Sequence, residues 1–185
     1  MKNVILTALI LVVGFANAQN KKIDVTKSSI EWIGKKVTGA HDGTIQLASG
    51  TLVMEKSELK GGKFVVDMTT INVKDLAAGK GKEKLEGHLK ADDFFGVDKF
   101  ATSALEFKKI AKKSTNVYTV TADLTIKGIT NPITFDITVD KNKATASLMV
   151  DRTKYDIKYG SGSFFDNLGD KAINDEFELK VNLAF

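Results

Sequence analysis

Apolar and polar residues alternate with a period of two along most of this chain, and this pattern constrains the fold more than any other feature. In the clearest example, Tyr118, Val120, Ala122, Leu124 and Ile126 alternate with threonine and aspartate. Successive side chains of a β-strand point to opposite faces, so each such run predicts an antiparallel strand with one buried and one solvated face. Clear runs recur in residues 64–69, 133–139, 144–150 and 176–185, and weaker ones in 29–33, 37–47, 51–55 and 103–110. So many short strands predict a β-sandwich or a β-barrel.

Two kinds of segment interrupt the alternation. Short stretches rich in Gly, Asn and Ser predict turns at 48–50, 60–62, 113–116, 128–132 and 140–142. Between Asp75 and Phe100 the alternation stops, and Leu85 and Leu89 recur at helical spacing. We expect a polar loop and then a short amphipathic helix there. A second irregular segment, 154–170, is rich in Gly, Ser and aromatic residues.

The N-terminus predicts export. Lys2 precedes an apolar run from Val4 to Phe15, and Ala16–Asn17–Ala18 then matches the small-x-small pattern of a signal peptidase site. The apolar run is shorter than the roughly 20 residues that span a bilayer. We therefore expect a signal peptide at 1–18, cleaved after Ala18. Residues 19–185 would form a single domain in the periplasm or outside the cell.

Composition excludes several classes of function. The chain has no cysteine, so disulfides, thiol catalysis and cysteine-based metal sites are excluded. Its net charge of +4 is spread over many lysines, without the concentrated arginine and aromatic stripe of a nucleic-acid binder. This weakly basic surface is compatible with transient contact with an anionic membrane. The sequence is also compatible with a homodimer.

Catalytic patterns are missing from the sequence. His41 and His88 lie far apart and form no HExxH motif, no serine sits in a GxSxG turn, and residues 79–82 lack the spacing of a P-loop. We therefore expect no catalytic residues, metal or cofactor, and a protein that is not an enzyme.

The sequence pattern alone does not decide whether the barrel interior holds a ligand or is filled by side chains. Large aromatic residues share their rows with alanine and glycine, which suits an elongated ligand cavity and a filled core equally well. Eight strands permit either arrangement. Arg152, the chain's only arginine, follows an apolar strand. It could tie the strand end to a neighbour or meet an anionic head group at the mouth of a cavity.

Three motifs resemble those of the YceI family. In residues 87–100, His88–Leu89 is followed after three residues by Asp93–Phe94–Phe95, which is similar to the family's signature. Residues 124–133 and 151–157 resemble two further family motifs, and the three blocks occur in family order. Two positions depart from the pattern: Ala101 stands where proline is usual, and Lys127 stands where histidine is frequent.

The resemblance implies an all-β fold, an extended eight-stranded antiparallel lipocalin-like barrel with a short helix between strands. It also implies binding, sequestration or carriage of a long-chain amphiphilic lipid, such as a polyisoprenoid, an isoprenoid quinone or a fatty-acid derivative. A filled barrel that acts as an envelope or stress-response interaction module, without a lipid ligand, remains the alternative. An enzyme acting on an isoprenoid or a quinone is a second alternative.

On the lipid interpretation, we expect the lipid tail to lie along inward-facing apolar residues of the barrel. Those residues are Phe64, Val66, Leu105, Phe107, Val120, Leu124, Phe135, Leu148, Phe177 and Leu179. The head group would lie near Arg152, Lys80 and Lys82.

Overall fold

Nine antiparallel strands and one short α-helix make up most of the part of the chain that the structure describes. A computed structural model describes residues 18–185, so the predicted signal peptide, apart from Ala18, lies outside the described residues. The strands are β1 (Gln19–Lys22), β2 (Ser29–Lys36), β3 (Gly39–Glu55), β4 (Glu58–Val73), β5 (Thr102–Ser114), β6 (Val117–Ile126), β7 (Ile129–Asp140), β8 (Lys143–Asp151) and β9 (Ile173–Ala184). The helix α1 spans Lys82–Lys90, and short 3-10 turns lie at Arg152–Tyr155 and Gly169–Lys171.

Eight of these strands close into a barrel. From β2 to β9 each strand pairs with the next along the chain, and β9 then pairs with β2 to complete the ring. The closing register runs from Ser29↔Asn182 to Lys36↔Ile173. The additional strand, β1, pairs with the second half of β3, alongside β2 on the same edge. The expected eight-stranded antiparallel barrel is confirmed, with one extra strand.

The two ends of the barrel differ. The lower end carries the hairpins β3–β4, β5–β6 and β7–β8, and buried apolar side chains fill it, among them Ile23, Leu52, Leu59, Tyr118 and Val139. The upper end carries the β2–β3 and β6–β7 hairpins, the α1 segment (74–101) and the β8–β9 loop (152–172). These two long connections cover the upper end.

Two of the predicted turns are wrong. Residues 48–50 lie within β3 and residues 60–62 lie within β4, whereas the chain turns at Lys56–Ser57, both of which have positive φ. The glycines in those two segments serve packing. A Cβ on Gly50 would lie 2.8 Å from the ring of Phe64, and one on Gly62 would lie 2.6 Å from the ring of Phe107.

The expected helix between strands is present as α1, and polar contacts fix it and the preceding loop to the upper ends of β3 and β4. Glu86 Oε1 accepts a hydrogen bond from the backbone N–H of Val73 at 2.8 Å. In the preceding loop, Asp75 Oδ2 lies 2.7 Å from His41 Nδ1. His41 therefore takes part in a hydrogen bond that joins β3 to this loop. Within residues 18–185 no helix has the length and apolar character needed to cross a membrane.

A methyl group at Gly43 is expected to destabilise the barrel. Its Cβ would overlap the carbonyl oxygen of Asn72 and lie 2.5 Å from Cζ2 of Trp32. We expect Gly43→Ala to lower the free energy of unfolding by about 3 kcal/mol, measured by urea denaturation, because such overpacking forces the backbone to shift. Gly34→Ala is the matched control, since a Cβ there meets nothing within 4 Å. Equal effects at the two glycines would contradict this account of the packing.

Candidate functional site

An elongated apolar cavity lies inside the barrel. It has a volume of about 180 Å³, and all eight strands of the ring contribute residues to its wall. Along β9 the lining extends from Ile173 to Leu183, ten residue steps or about 33 Å of strand. Nearly all lining side chains are apolar; the polar ones include Arg152, Asn174 and Glu176 near the upper end and Ser103 and Thr145 in the wall. Such a wall suits a long apolar ligand.

Nine of the ten residues predicted to contact a lipid tail line this cavity. They are Phe64, Val66, Leu105, Phe107, Leu124, Phe135, Leu148, Phe177 and Leu179. Val120 is the exception: it is 0% exposed and packs within the core, away from the cavity wall. Its inward direction follows the alternation, but the filled lower end of the barrel leaves no open space beside it.

Several lining residues were not among those predicted. Trp32, Ile45 and Leu47 lie on inward rows of β2 and β3, and the alternation of those strands contains the signal that would have identified them. Leu89 and Phe95 come from the α1 segment. Periodicity could not assign these two to the cavity, because only tertiary folding brings that segment over the barrel.

Arg152 is buried and donates hydrogen bonds to three backbone oxygens. Its guanidinium, 2% exposed, donates to the carbonyl of Ile157 at 2.8 Å and to those of Asn174 and Ile173 at 3.0 Å each. Burial lowers the pKa of the guanidinium, while the negative charges of Asp175 and Asp151 act in the opposite direction. An arginine stays charged in proteins. Arg152 therefore ties the end of β8 to the start of β9 while one side of it faces the cavity.

Neither of the two lysines predicted near a head group lies on the cavity wall. Lys80 is exposed, in the turn before α1. Lys82 donates to Asn72 Oδ1 at 3.0 Å and lies 3.8 Å from Glu86. The structure thus places only Arg152 of the three candidates beside the cavity, because the start of α1 lies on the outer side of β4.

Aromatic rings close the upper end of the cavity. Phe94 packs edge-on against Phe95, with ring centroids 5.2 Å apart, and Phe95 packs in turn against Phe177 at 6.2 Å. His88 lies 4.4 Å from Tyr159, which joins α1 to the β8–β9 loop. The guanidinium carbon of Arg152 lies 5.8 Å from the centroid of Phe94. These rings connect the two long loops into one cover over the barrel.

The three sequence motifs meet at this upper end. Lys127 Nζ donates to the carbonyl of Asp92 at 3.0 Å, linking the β6–β7 turn to the α1 segment. Asn131 Nδ2 donates to the carbonyl of Lys154 at 2.9 Å, linking the same hairpin to the β8–β9 loop. Ala101 is the second position that departs from the family motifs, and its carbonyl oxygen accepts a hydrogen bond from the backbone N–H of Met68 at 2.9 Å. The motifs therefore build the cover and the ends of the strands beneath it.

Trp32, the chain's only tryptophan, lines the cavity beside Gly43. Its Nε1 is buried and finds no hydrogen-bond acceptor within residues 18–185. A buried N–H without an acceptor costs free energy, commonly about 1–3 kcal/mol. Trp32 therefore places a polar donor in a mostly apolar wall.

The remaining ionisable groups do not form a metal centre in the described part of the chain. No group of three or more His, Asp or Glu side chains there is arranged to hold a metal ion. Chemically, the interior offers a mostly apolar surface, the indole N–H of Trp32, the buried positive charge of Arg152 and the polar side chains of Ser103 and Thr145. This set suits binding of an amphiphile.

Replacing Arg152 is expected to destabilise the fold. We expect Arg152→Met to lower the free energy of unfolding by about 3–5 kcal/mol, because three carbonyls lose their donor and Asp175 loses its counter-charge. Lys154→Met, which removes a 62% exposed charge from the same 3-10 turn, should change it by less than about 0.5 kcal/mol. Urea denaturation of both variants measures this. Unchanged stability of Arg152→Met together with weaker ligand binding would instead assign Arg152 to a head group.

The sequence is similar to those of known proteins over nearly all of its described length. The family model described as a YceI-like domain matches residues 22–185. A UPF0312 protein of Staphylococcus aureus (strain bovine RF122 / ET3-1) is 32% identical over 156 residues, which cover 76% of this chain and 83% of that protein.

Solved structures share the fold. BcnA of Burkholderia cenocepacia superposes with a TM-score of 0.71 at 20% identity, over 88% of this chain and 99% of that one. A polyisoprenoid binding domain from Saccharophagus degradans, implicated in plant cell wall breakdown, superposes with a TM-score of 0.63 at 15% identity, over 90% and 97% of the two chains. At these identities the similarity establishes a common architecture.

Proposed function

This chain belongs to the YceI-like domain family, and from that premise we propose that it binds a long-chain amphiphilic lipid inside the barrel and sequesters or carries it. The observation that carries the proposal is the elongated cavity, whose apolar wall is built by all eight strands of the ring. The ligand class is a polyisoprenoid, an isoprenoid quinone or a fatty-acid derivative. The related domain from Saccharophagus degradans, which is described as binding polyisoprenoid, supports this class.

The shape and polarity of the cavity favour a chain-like ligand. Its length along β9 suits an extended tail better than a compact ring system. Transferring about 400 Å² of tail from water to such a wall contributes on the order of 10 kcal/mol before the entropy costs of binding. A tail alone would therefore supply enough free energy for useful affinity.

The polar groups of the cavity suit a ligand that carries an oxygen acceptor. The N–H of Trp32 would donate to a carbonyl or hydroxyl oxygen of a ligand, which would satisfy a donor that is otherwise unpaired within residues 18–185. The proposed activity is binding, because the sequence offers neither a thiol nor a motif that joins a nucleophile to a base.

Binding of a quinone should be visible in the fluorescence of Trp32. We expect a short-chain ubiquinone analogue to quench this fluorescence in a saturable manner, since the indole lines the cavity. Ala146→Phe, which adds a ring to the cavity wall, should weaken binding by about tenfold or more, equivalent to at least about 1.4 kcal/mol. Met149→Phe is the matched control, because Met149 lies on the same strand, faces outward and is 53% exposed.

Mass spectrometry of the native protein, with organic extraction of the purified sample, tests the ligand itself. A long-chain lipid bound in a one-to-one ratio would name the ligand. A mass equal to that of the protein alone, with no quenching of Trp32 fluorescence and no binding of added polyprenol or quinone, would contradict the lipid proposal. That result would favour a filled barrel that acts as an interaction module.

We also propose that the protein acts outside the cytoplasm, in the periplasm or after secretion. The predicted cleavage site after Ala18 supports this, because β1 begins at Gln19 and cleavage would leave every described strand intact. We expect the mature protein from its own host to start at Gln19, measured by intact mass and N-terminal sequencing. Recovery of the uncleaved chain from the cytoplasmic fraction would contradict the proposal.

A further inference from the structure

The wall of the barrel is incomplete between β4 and β5. These two strands pair over five residue pairs only, from Lys63↔Glu106 to Asp67↔Thr102. Towards the lower end, residues 58–62 of β4 continue to pair with β3, and residues 107–114 of β5 continue to pair with β6. The two strands therefore separate where the described barrel would otherwise be closed by backbone hydrogen bonds.

Both strands carry a β-bulge at the point of separation. Val53 and Met54 of β3 face Gly61 and Leu59, so Lys60 is the extra residue in β4. Phe107 and Lys109 face Ala122 and Thr121, so Lys108 is the extra residue in β5. A bulge bends its strand and ends regular pairing, and bulges are frequent beside functional sites. Both extra residues are lysines.

A surface hollow of about 210 Å³ lies at the gap, and its apolar lining consists of Leu59, Phe107, Ile110 and Tyr118. Lys60, Lys108 and Lys112 line this hollow together with Phe107, and Phe107 also lines the internal cavity. The Phe107 ring lies against Gly62, where a Cβ would approach it to 2.6 Å. It packs on Phe64 with ring centroids 5.5 Å apart. Phe107 is therefore the residue that the lining of the hollow and the lining of the cavity share.

A solvated ion pair holds the gap. Glu58 of β4 accepts from Lys112 of β5 at 2.9 Å, and its second carboxylate oxygen accepts from Lys60 at 3.0 Å. These hydrogen bonds lower the pKa of the Glu58 carboxyl. The Glu58 and Lys112 side chains are 42% and 53% exposed, so the pair opens at little cost in free energy.

We propose that this gap is a lateral portal for a single-chain amphiphile with an anionic head group. The tail passes between β4 and β5 when Phe107 swings aside and the Glu58–Lys112 pair opens. The head group, a carboxylate or a phosphate, then stays at the surface with Lys60 and Lys108. The inference rests on the proposed binding of a lipid in the barrel and adds its route and its head-group site.

Strand pairing is also short between β7 and β8, but there a side-chain hydrogen bond joins the two sides of the seam. β7 and β8 pair only from Ile137↔Ala146 to Asp140↔Lys143. Towards the upper end, however, the Asn131–Lys154 hydrogen bond joins the β7 side to the 3-10 turn that follows β8. The portal is therefore assigned to the β4–β5 seam, where an exposed ion pair joins the two strands and the Phe107 ring lines both the hollow and the cavity.

Cross-linking the seam tests the portal. The chain has no cysteine, so Lys60→Cys with Lys112→Cys can be joined selectively by a short bis-maleimide. The probe is the methyl ester of dibromostearate, whose bromine atoms quench Trp32 when the tail is inside, followed by stopped-flow fluorescence. We expect the cross-link to slow entry by roughly tenfold, as for a gated step. Thr121→Cys with Thr134→Cys, a directly paired position in the β6–β7 seam, is the matched control and should leave the rate unchanged.

Two further arms test the role of Phe107 and the head-group site. Phe107→Ala should speed entry of the same probe; if that variant fails to fold, the cross-link result still decides. Lys60→Gln with Lys108→Gln should weaken equilibrium binding of dibromostearate by about fivefold relative to its methyl ester, whereas Lys141→Gln with Lys180→Gln should not. Competition by farnesyl phosphate against stearate distinguishes a phosphate head from a carboxylate.

The outcomes separate the portal from the lipid proposal. If no probe quenches Trp32 at equilibrium in the unmodified protein, lipid binding itself fails. If the probes bind normally but the cross-link leaves entry unchanged, lipid binding stands and the portal is wrong. Slower entry after cross-linking with equal loss for acid and ester in the lysine variant would keep the route and overturn the head-group site.

Discussion

Pairing of β2 with β9 is the contact on which the rest of the structure depends. It joins residues about 150 positions apart, from Ser29↔Asn182 onwards, and turns an open meander into a ring. The turn after β1 reinforces it, because Ser28 Oγ accepts from the backbone N–H of Ala184 at 3.0 Å and Asp24 N donates to the carbonyl of the same residue at 2.8 Å. A closed ring satisfies backbone groups without a filled centre, since the strands bond to one another around the wall. Closure is what allows the barrel to hold a cavity.

The barrel divides stability and binding between its ends. The lower end is packed with side chains such as Leu52 and Leu59, which are 0% and 1% exposed. The upper end is held by contacts between loops, above all by the buried guanidinium of Arg152 and the aromatic rings around Phe94. Between these two regions the inward-facing side chains do not fill the barrel, and the cavity lies there. The family motifs lie in the upper region, so they describe the construction of the cover more directly than the ligand.

Two glycines and two β-bulges shape the barrel wall next to the cavity. Glycine allows an aromatic ring to lie flat on the wall at Gly62 and Gly43, and the bulges at Lys60 and Lys108 bend two neighbouring strands apart. Both glycines lie against rings that line the cavity, and both bulge lysines line the surface hollow beside it. Lysines at unpaired strand edges also discourage pairing with other chains. The same residues therefore serve solubility and shape the proposed entrance.

The alternation of apolar and polar residues was sufficient to predict the antiparallel strands and the break at α1. Nine of the ten residues that it placed inside the barrel line the cavity, because strand geometry sends every second side chain inward. The motifs around Phe94, Leu124 and Arg152 identified the family. Sequence could not tell a turn glycine from a packing glycine at Gly50 and Gly62, since that depends on the rings that approach them from other strands. It also left open whether Arg152 meets a ligand or a carbonyl and placed Lys80 and Lys82 beside a cavity that they do not line. Only the tertiary structure decides which inward positions remain open space and where two strands part, because both depend on contacts between residues far apart in the chain.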